Sequence, residues 1–353
     1  MTDIAKLTRK NIQELAPYSS ARDEYSGTDG IFLDANENSF GTLEPEVLNR
    51  YPDPYQKKLK NKLANYYEVE SENLFLGNGS DEAIDLMMRA FCEPREDNLL
   101  IMPPTYGMYK VAANINDVEI KEAPLNPDFT INKEKVFDKI DNNTKLIYIC
   151  SPNNPTANIF DPEVIAEILN KFEGILVVDE AYVDFTKKQN MVRRLDEFDN
   201  LVVFRTFSKA WGMANIRLGM AFADSRVIDI LNKIKYPYNV NGLTARKSLD
   251  LIEQKSIKED IVKSILKERE KLHSELEDIS GVIKIFPSEA NFLLVKFEQP
   301  LELFNYLKQK NIIIRNRTDE LHCDKCLRIT VGKPNQNRKV IQEIKNFYNK
   351  VAT

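Results

Sequence analysis

Imidazole is scarce in this sequence: its 353 residues include two histidines, His273 and His322, both in the C-terminal part. A Ser/His/Asp catalytic constellation therefore has no candidate. Thiols are scarce too. Cys92, Cys150, Cys323 and Cys326 are too few for a disulfide framework in a chain this long, which fits a reducing compartment. No apolar run approaches the ~18 residues of a membrane span. Residues 1–25 mix charge throughout, where a signal peptide carries an apolar core. Nor is there a surplus of positive charge. Lysine and arginine number 49 against 54 aspartates and glutamates, a net charge of −5. That removes the electrostatic case for nucleic acid or an anionic membrane as the main partner. The expectation is a soluble, cytoplasmic protein.

What is present can build a core. The chain is 42% hydrophobic and long enough for two domains at about 150 residues each. Short apolar runs without alternation end in polar turns. Leu74–Leu76 leads into Gly77-Asn78-Gly79-Ser80 and a helical stretch Asp81–Phe91. Asn98–Met102 ends at Pro103-Pro104, Lys145–Cys150 at Ser151-Pro152-Asn153-Asn154-Pro155, Ile175–Val178 at Asp179-Glu180, and Leu201–Phe204 at Thr206–Lys209. Such runs suit buried parallel strands joined by crossovers, with helices on both faces of one sheet, an α/β fold. Beyond about Asn241 the texture changes. Residues 243–277 read as one long charged helix with apolar positions Leu249, Ile252, Ile261, Ile265 and Leu272. Strand-like runs Val282–Phe286, Asn291–Phe297, Ile312–Arg315 and Leu327–Val331 follow, then an amphipathic helix carrying Val340, Ile341, Ile344 and Phe347. The expected division is an arm at 1–30, a large domain at 31–241 and a small α+β domain at 242–353, with which the arm packs.

Polar signals gather at the ends of the inferred strands, where open α/β sheets bind ligands. Lys209 follows a buried run among hydroxyls, in Thr206-Phe207-Ser208-Lys209, with Arg217 close behind. A lysine there can be a Schiff-base lysine beside a phosphate site, or simply a loop lysine. Asp179, with Tyr182 three residues on, can hold a protonated ring nitrogen or cap a helix. Gly79-Ser80-Asp81 opens a helix whose free N–H groups and dipole suit a phosphate dianion. Asn154 sits in a turn, and Tyr106 can stack on a ring or fill a core. His322-Cys323-Asp324-Lys325-Cys326 has metal-ligand spacing, but a closed zinc site needs four ligands and no second pair follows. A polar turn is the simpler reading, and no metal is expected.

In this order, the strand-end Asn-Pro, Asp-x-x-Tyr and Ser-Lys with a downstream Arg resemble the fold-type I pyridoxal-phosphate (PLP) aminotransferases across almost the whole chain. The resemblance implies a mostly parallel central sheet flanked by helices, a smaller α+β domain, and pyridoxal 5′-phosphate as cofactor. It implies that Lys209 is the Schiff-base lysine and proton shuttle and that Asp179 pairs with the pyridine nitrogen. Asn154 and Tyr182 would bond the ring's phenolate oxygen, Tyr106 would stack on the ring, and Ser80, Asp81, Ser208 and Arg217 would hold the phosphate.

Further segments are similar to those of the histidinol-phosphate aminotransferases within that group. They are Ala16-Pro17-Tyr18-x-x-Ala21-Arg22, Leu33-Asp34-Ala35-Asn36-Glu37-Asn38, Arg50-Tyr51-Pro52-Asp53-Pro54 and Leu327-Arg328-Ile329-Thr330-Val331-Gly332. The similarity implies that Tyr51 reaches the cofactor phosphate of a partner subunit, in a homodimer. It implies that Tyr18, Asn36, Glu37, Asn154, Arg315 and Arg328 bind substrate. Histidinol phosphate and 2-oxoglutarate would be the substrates, with Arg328 serving the phosphate of one and a carboxylate of the other. Two arginines on adjacent antiparallel strands would supply the forked donors a phosphate wants. The sequence departs from the pattern at Ala157 and Ala214-Asn215, positions without a reacting side chain. L-threonine-phosphate decarboxylase, an aromatic amino-acid aminotransferase and a non-catalytic PLP-binding protein share the scaffold and stay open as alternatives.

Overall fold

Strand Ile175–Asp179 has every residue buried, and its side chains divide cleanly between two cores. Leu176 and Val178 pack into one hydrophobic cluster, Ile175 and Val177 into another on the opposite face. Leu201–Thr206 repeats this division, Leu201 and Val203 against Val202 and Phe204. Side chains alternate across a strand, so unbroken apolar runs mean a sheet covered on both faces. The computed structural model describes residues 2–18, 31, 33–43, 48–188 and 190–351.

The large sheet has seven strands: β1 (Leu74–Asn78), β2 (Asn98–Ile101), β3 (Glu119–Glu122), β4 (Thr144–Cys150), β5 (Ile175–Asp179), β6 (Leu201–Thr206) and β7 (Leu218–Ala223), in the order β1-β7-β6-β5-β4-β2-β3. The pairs from β3 to β6 are parallel, and β7 runs antiparallel to both its neighbours. Because β7 reverses between β1 and β6, the C-terminal ends of β1, β4, β5 and β6 lie on one edge, which positions the site. Sequence reasoning passed over β3 and β7. The first is a charged edge strand and the second lacks the β-branched residues that mark strands.

The second sheet is antiparallel throughout: β8 (Val282–Ile285), β9 (Phe292–Phe297), β10 (Arg315–Asn316) and β11 (Cys326–Thr330), in the order β10-β11-β9-β8. Leu293, Val295, Leu327 and Ile329 pack against Leu272, Leu303, Leu307 and Ile344 of three covering helices. The run at Ile312–Arg315 pairs only from Arg315 onward. The single helix expected over 243–277 is two, Gly242–Ile252 and Lys255–Glu277. No proline or glycine marks the break. The first helix packs on helix Lys57–Tyr67 and the second on the small sheet and its last helix, so different partners pull one polar run into two directions.

The arm's first turns dock on the large sheet's side instead of the small domain. Ile4 is buried in the cluster with Val227 and Leu231, and Arg9 holds Glu93 at 3.1 Å. Residues 19–30, including Ala21 and Arg22, lie outside the described residues.

Candidate active site

Asp179 is the last residue of β5 and only 2% exposed. Its carboxylate accepts the Tyr109 phenol at 2.8 Å and the Ala181 amide at 3.0 Å. Burial pushes this acid up to about 6, against the opposing pull of those two donors and of Lys209. One strand over, β6 ends at Thr206, whose hydroxyl accepts the Ser208 amide at 3.1 Å and sets the turn that delivers Lys209. The Lys209 amine lies 5.3 Å from the centre of the Tyr182 ring. Burial lowers its proton affinity, Asp179 opposes that, and Arg328 adds to it. Tyr182 is itself held protonated by burial.

At the other end of the cavity, β1 turns through Gly79 into helix Ser80–Phe91. Gly79 has φ +80°, a conformation that favours glycine, and its amide donates to the Arg217 carbonyl at 2.7 Å. A Cβ on Gly219 would sit 2.0 Å from the Ser80 nitrogen, so β7 can approach the helix start only without a side chain there. The Arg217 guanidinium reaches Asp81 at 3.2 Å and the Ser208 hydroxyl at 3.5 Å. This end offers helix N–H groups, a hydroxyl and a guanidinium, the donor set of a phosphate site.

Ser80, Asp81, Tyr106, Asn154, Asp179, Tyr182, Ser208, Lys209 and Arg217 thus line one cavity of about 180 Å³, together with Cys150, Ala181, Thr206 and Ala214. Tyr106 stands edge-on to Tyr109, with centroids 5.5 Å apart. Pyridoxal phosphate fits this donor set. There is an amine for its aldehyde, a buried carboxylate for its ring nitrogen, an aromatic side chain for its face, and a glycine-lined helix start for its phosphate.

The small sheet reaches this cavity through Arg328. Its guanidinium donates to the Asn154 side-chain oxygen and lies over the Phe292 ring at 5.1 Å, while its Nε is buried without a partner. Arg315 is directly opposite Arg328 across the two strands, which puts both side chains on one face. Arg317, two positions beyond Arg315, also has a buried Nε without a partner. After burial, it is the strongest influence lowering the Arg328 proton affinity. Its period-two spacing from Arg315 was a signal that sequence reasoning missed. Tyr109 was missed as well, since nothing local ties it to Asp179.

Four expected residues lie apart from Lys209 within this chain. The Glu37 carboxylate is buried against Arg50 and the Tyr51 amide, each at 2.6 Å. Tyr51 stacks on Tyr238, centroids 4.5 Å apart, and shares a separate open groove with Asn36 and Glu37. Tyr18 is 73% exposed, beside Tyr236 and Tyr238. Cys323, in the turn between β10 and β11, and Cys326, the first residue of β11, are buried thiols, and the His322 ring bonds the Leu125 carbonyl at 3.2 Å. Among the described residues no cluster of His, Cys, Asp and Glu is arranged to hold a metal.

The sequence matches the family described as aminotransferase class I and II over residues 28–344. It is 46% identical over 341 residues to a histidinol-phosphate aminotransferase of Cytophaga hutchinsonii, covering 97% of this chain and 98% of that protein. It is 48% identical over 347 residues to the enzyme of the same name from Parabacteroides distasonis, covering 98% and 99%. Among solved structures, a histidinol-phosphate aminotransferase from Clostridium acetobutylicum superposes with a TM-score of 0.80 at 24% identity, covering 86% of this chain and 92% of that one. The Sinorhizobium meliloti enzyme in complex with pyridoxal 5′-phosphate gives 0.77 at 19%, covering 90% of each. An L-threonine-O-3-phosphate decarboxylase from Porphyromonas gingivalis gives 0.73 at 22%, covering 86% and 91%, so the fold is shared beyond one activity. The chain belongs to the class I and II aminotransferases.

Proposed function

We propose that this class I and II aminotransferase moves the amino group of L-histidinol phosphate to 2-oxoglutarate, giving imidazole-acetol phosphate and L-glutamate, with pyridoxal 5′-phosphate as its cofactor. The observation that carries the reading is the meeting of the strand-tip trio Lys209, Asp179 and Tyr182 with a guanidinium brought across from the small sheet. The two curated relatives, similar over nearly the full chain, support the choice of substrate.

When bound, the cofactor supplies an electron sink for the pair left on the donor's Cα as its proton departs. Lys209 would hold the cofactor through its aldehyde, and its Nζ would take the proton from the donor's Cα. Its lowered proton affinity favours the neutral amine that such a base requires. Asp179 holds a proton on the ring nitrogen. Asn154 gives its oxygen to Arg328, so its Nδ2 is free to donate to the ring's oxygen beside the Tyr182 hydroxyl. Ser80, Ser208 and Arg217 bind the cofactor phosphate, and Tyr106 covers the ring. Arg328 and Arg315 hold the substrate phosphate, and later a carboxylate of the second substrate. Two half-reactions through one cofactor mean ping-pong kinetics.

The groove of Asn36, Glu37 and Tyr51, with Tyr18 nearby, faces a second copy of the chain in this reading. Tyr51 then serves the cofactor phosphate of that copy. A protein that elutes at the mass of one chain would contradict this. We place the enzyme in the cytoplasm, on the strength of its four unpaired thiols and its composition. Among the described residues no helix is long and apolar enough to cross a membrane.

The test is optical. Purified protein loaded with pyridoxal phosphate should change its absorbance band when histidinol phosphate is added and regain it with 2-oxoglutarate. A band that stays fixed marks a protein that binds without turnover.

A further inference from the structure

Tyr109 is fully buried, and its hydroxyl finds one charged partner, the Asp179 carboxylate at 2.8 Å. We propose that Tyr109 is a positioning residue for the cofactor ring, its phenol holding Asp179 from behind as an oriented anion; the inference rests on the function proposed above.

A phenol facing a carboxylate oxygen can only donate to it, because an ionised carboxylate has lone pairs and no hydrogen. Burial holds Tyr109 protonated at any working pH, so it remains a donor. Its ring is gripped on two sides. Tyr148 lies tilted against it with centroids 4.8 Å apart, and Tyr106 stands edge-on at 5.5 Å. The hydroxyl is therefore fixed in direction. The second carboxylate oxygen is fixed by the Ala181 amide at 3.0 Å. One donor from helix Met108–Ile115 and one from the turn after β5 together set the plane of a carboxylate that still borders the cavity.

The charge matters as much as the direction. A carboxyl group that has taken a proton cannot keep another on the cofactor's ring nitrogen. Asp179 sits where burial favours the neutral form. The ionisable groups around it are Tyr109, Lys209 from beyond β6, Asp81 from the helix after β1, Cys150 and Tyr148 from β4, and Tyr106 and Tyr182. Lys209 is the nearby cation, and its amine is the group that binds the cofactor. Tyr109 is the side-chain donor that remains throughout.

The experiment is a titration of the cofactor-free protein with pyridoxal 5′-phosphate from about pH 5 to about pH 8, read as dissociation constants. The wild-type affinity should weaken as the pH falls through about 6, where Asp179 takes its proton. In Tyr109→Phe the weakening should set in about one pH unit higher, a tenfold change in proton affinity. Tyr148→Phe, whose hydroxyl bonds the Ile84 carbonyl at 3.3 Å and not Asp179, should leave the profile in place. The cofactor phosphate and Lys209 titrate alike in every variant, so the difference isolates Asp179. Placing 3-fluorotyrosine, a stronger donor of the same shape, at position 109 should move the midpoint down. That variant decides the question if Tyr109→Phe does not fold. Identical profiles in wild type and variants overturn the inference. A wild-type protein that fails to bind the cofactor at all overturns the proposed function instead.

Discussion

The Arg328 guanidinium donates to the side-chain oxygen of Asn154, tying the small sheet to the turn that follows β4 across 174 residues of sequence. Asn154 and Lys209 line the same cavity, so this contact brings a positive charge from the small sheet to the edge of a cavity built on the large one. A guanidinium there, with Arg315 opposite it, is suited to a doubly charged phosphate.

Replacing Arg328 with Ala should raise KM for histidinol phosphate by about one to two decades, the worth of a charge-assisted bond of roughly 1.5–3 kcal/mol. Histidinol, which lacks the phosphate, should be affected much less. Equal losses with both substrates would assign Arg328 to the cofactor or to structure.

Lys209→Ala should reduce transamination to background while leaving the melting temperature close to that of the wild type, since the amine lies beside a cavity and not in a packed core. The absorbance of bound cofactor should match free pyridoxal phosphate in place of a lysine-linked form. Near-normal turnover would remove Lys209 from the mechanism.

Gly219→Ala should destabilise the fold by about 1–3 kcal/mol, the usual effect of forcing an atom into packed space. The new Cβ would meet the Ser80 nitrogen at 2.0 Å, so the helix start must move and cofactor affinity should fall with it. Gly107→Ala, whose Cβ would meet nothing within 4 Å, is the comparison. Denaturant melts and cofactor titrations that fail to separate the two would contradict the cradle at Ser80.

Asp179 exposes a trade between stability and function. Its carboxyl titrates at about 6 in the fold, above its unfolded value near about 3.9, so the folded state binds more protons between those limits. Its contribution to stability is thus fully present below the unfolded value and is lost as the pH rises through about 6. Asp179→Asn should therefore raise the melting temperature of the cofactor-free protein at pH about 7.5, with the gain shrinking toward pH about 4. The same change should weaken cofactor binding. A gain independent of pH would mean that burial of the charge is not its source.

How much of this was legible in the sequence follows from the range of the signals. Lys209, Asp179, Asn154 and Ser80 stand at the ends of apolar runs, and parallel strands carry all such ends to one edge, so their convergence could be read without coordinates. The pairing of Arg315 with Arg328 followed from two strands and a turn. Tyr109 was not legible, because its reach to Asp179 depends on how helix Met108–Ile115 is rotated against the large sheet. The break after Ile252 was not legible either, since packing partners far along the chain impose it. Glu37 was recognisable within its motif, but its burial against Arg50 and Tyr51 depends on how the chain folds back on itself.

The most direct test of the account is the product assay. Purified enzyme with pyridoxal phosphate, given histidinol phosphate and 2-oxoglutarate, should form glutamate and imidazole-acetol phosphate in equal amounts. With threonine phosphate it should release no carbon dioxide. Carbon dioxide from threonine phosphate, with no glutamate from histidinol phosphate, would contradict the account and make the protein a decarboxylase on the same scaffold.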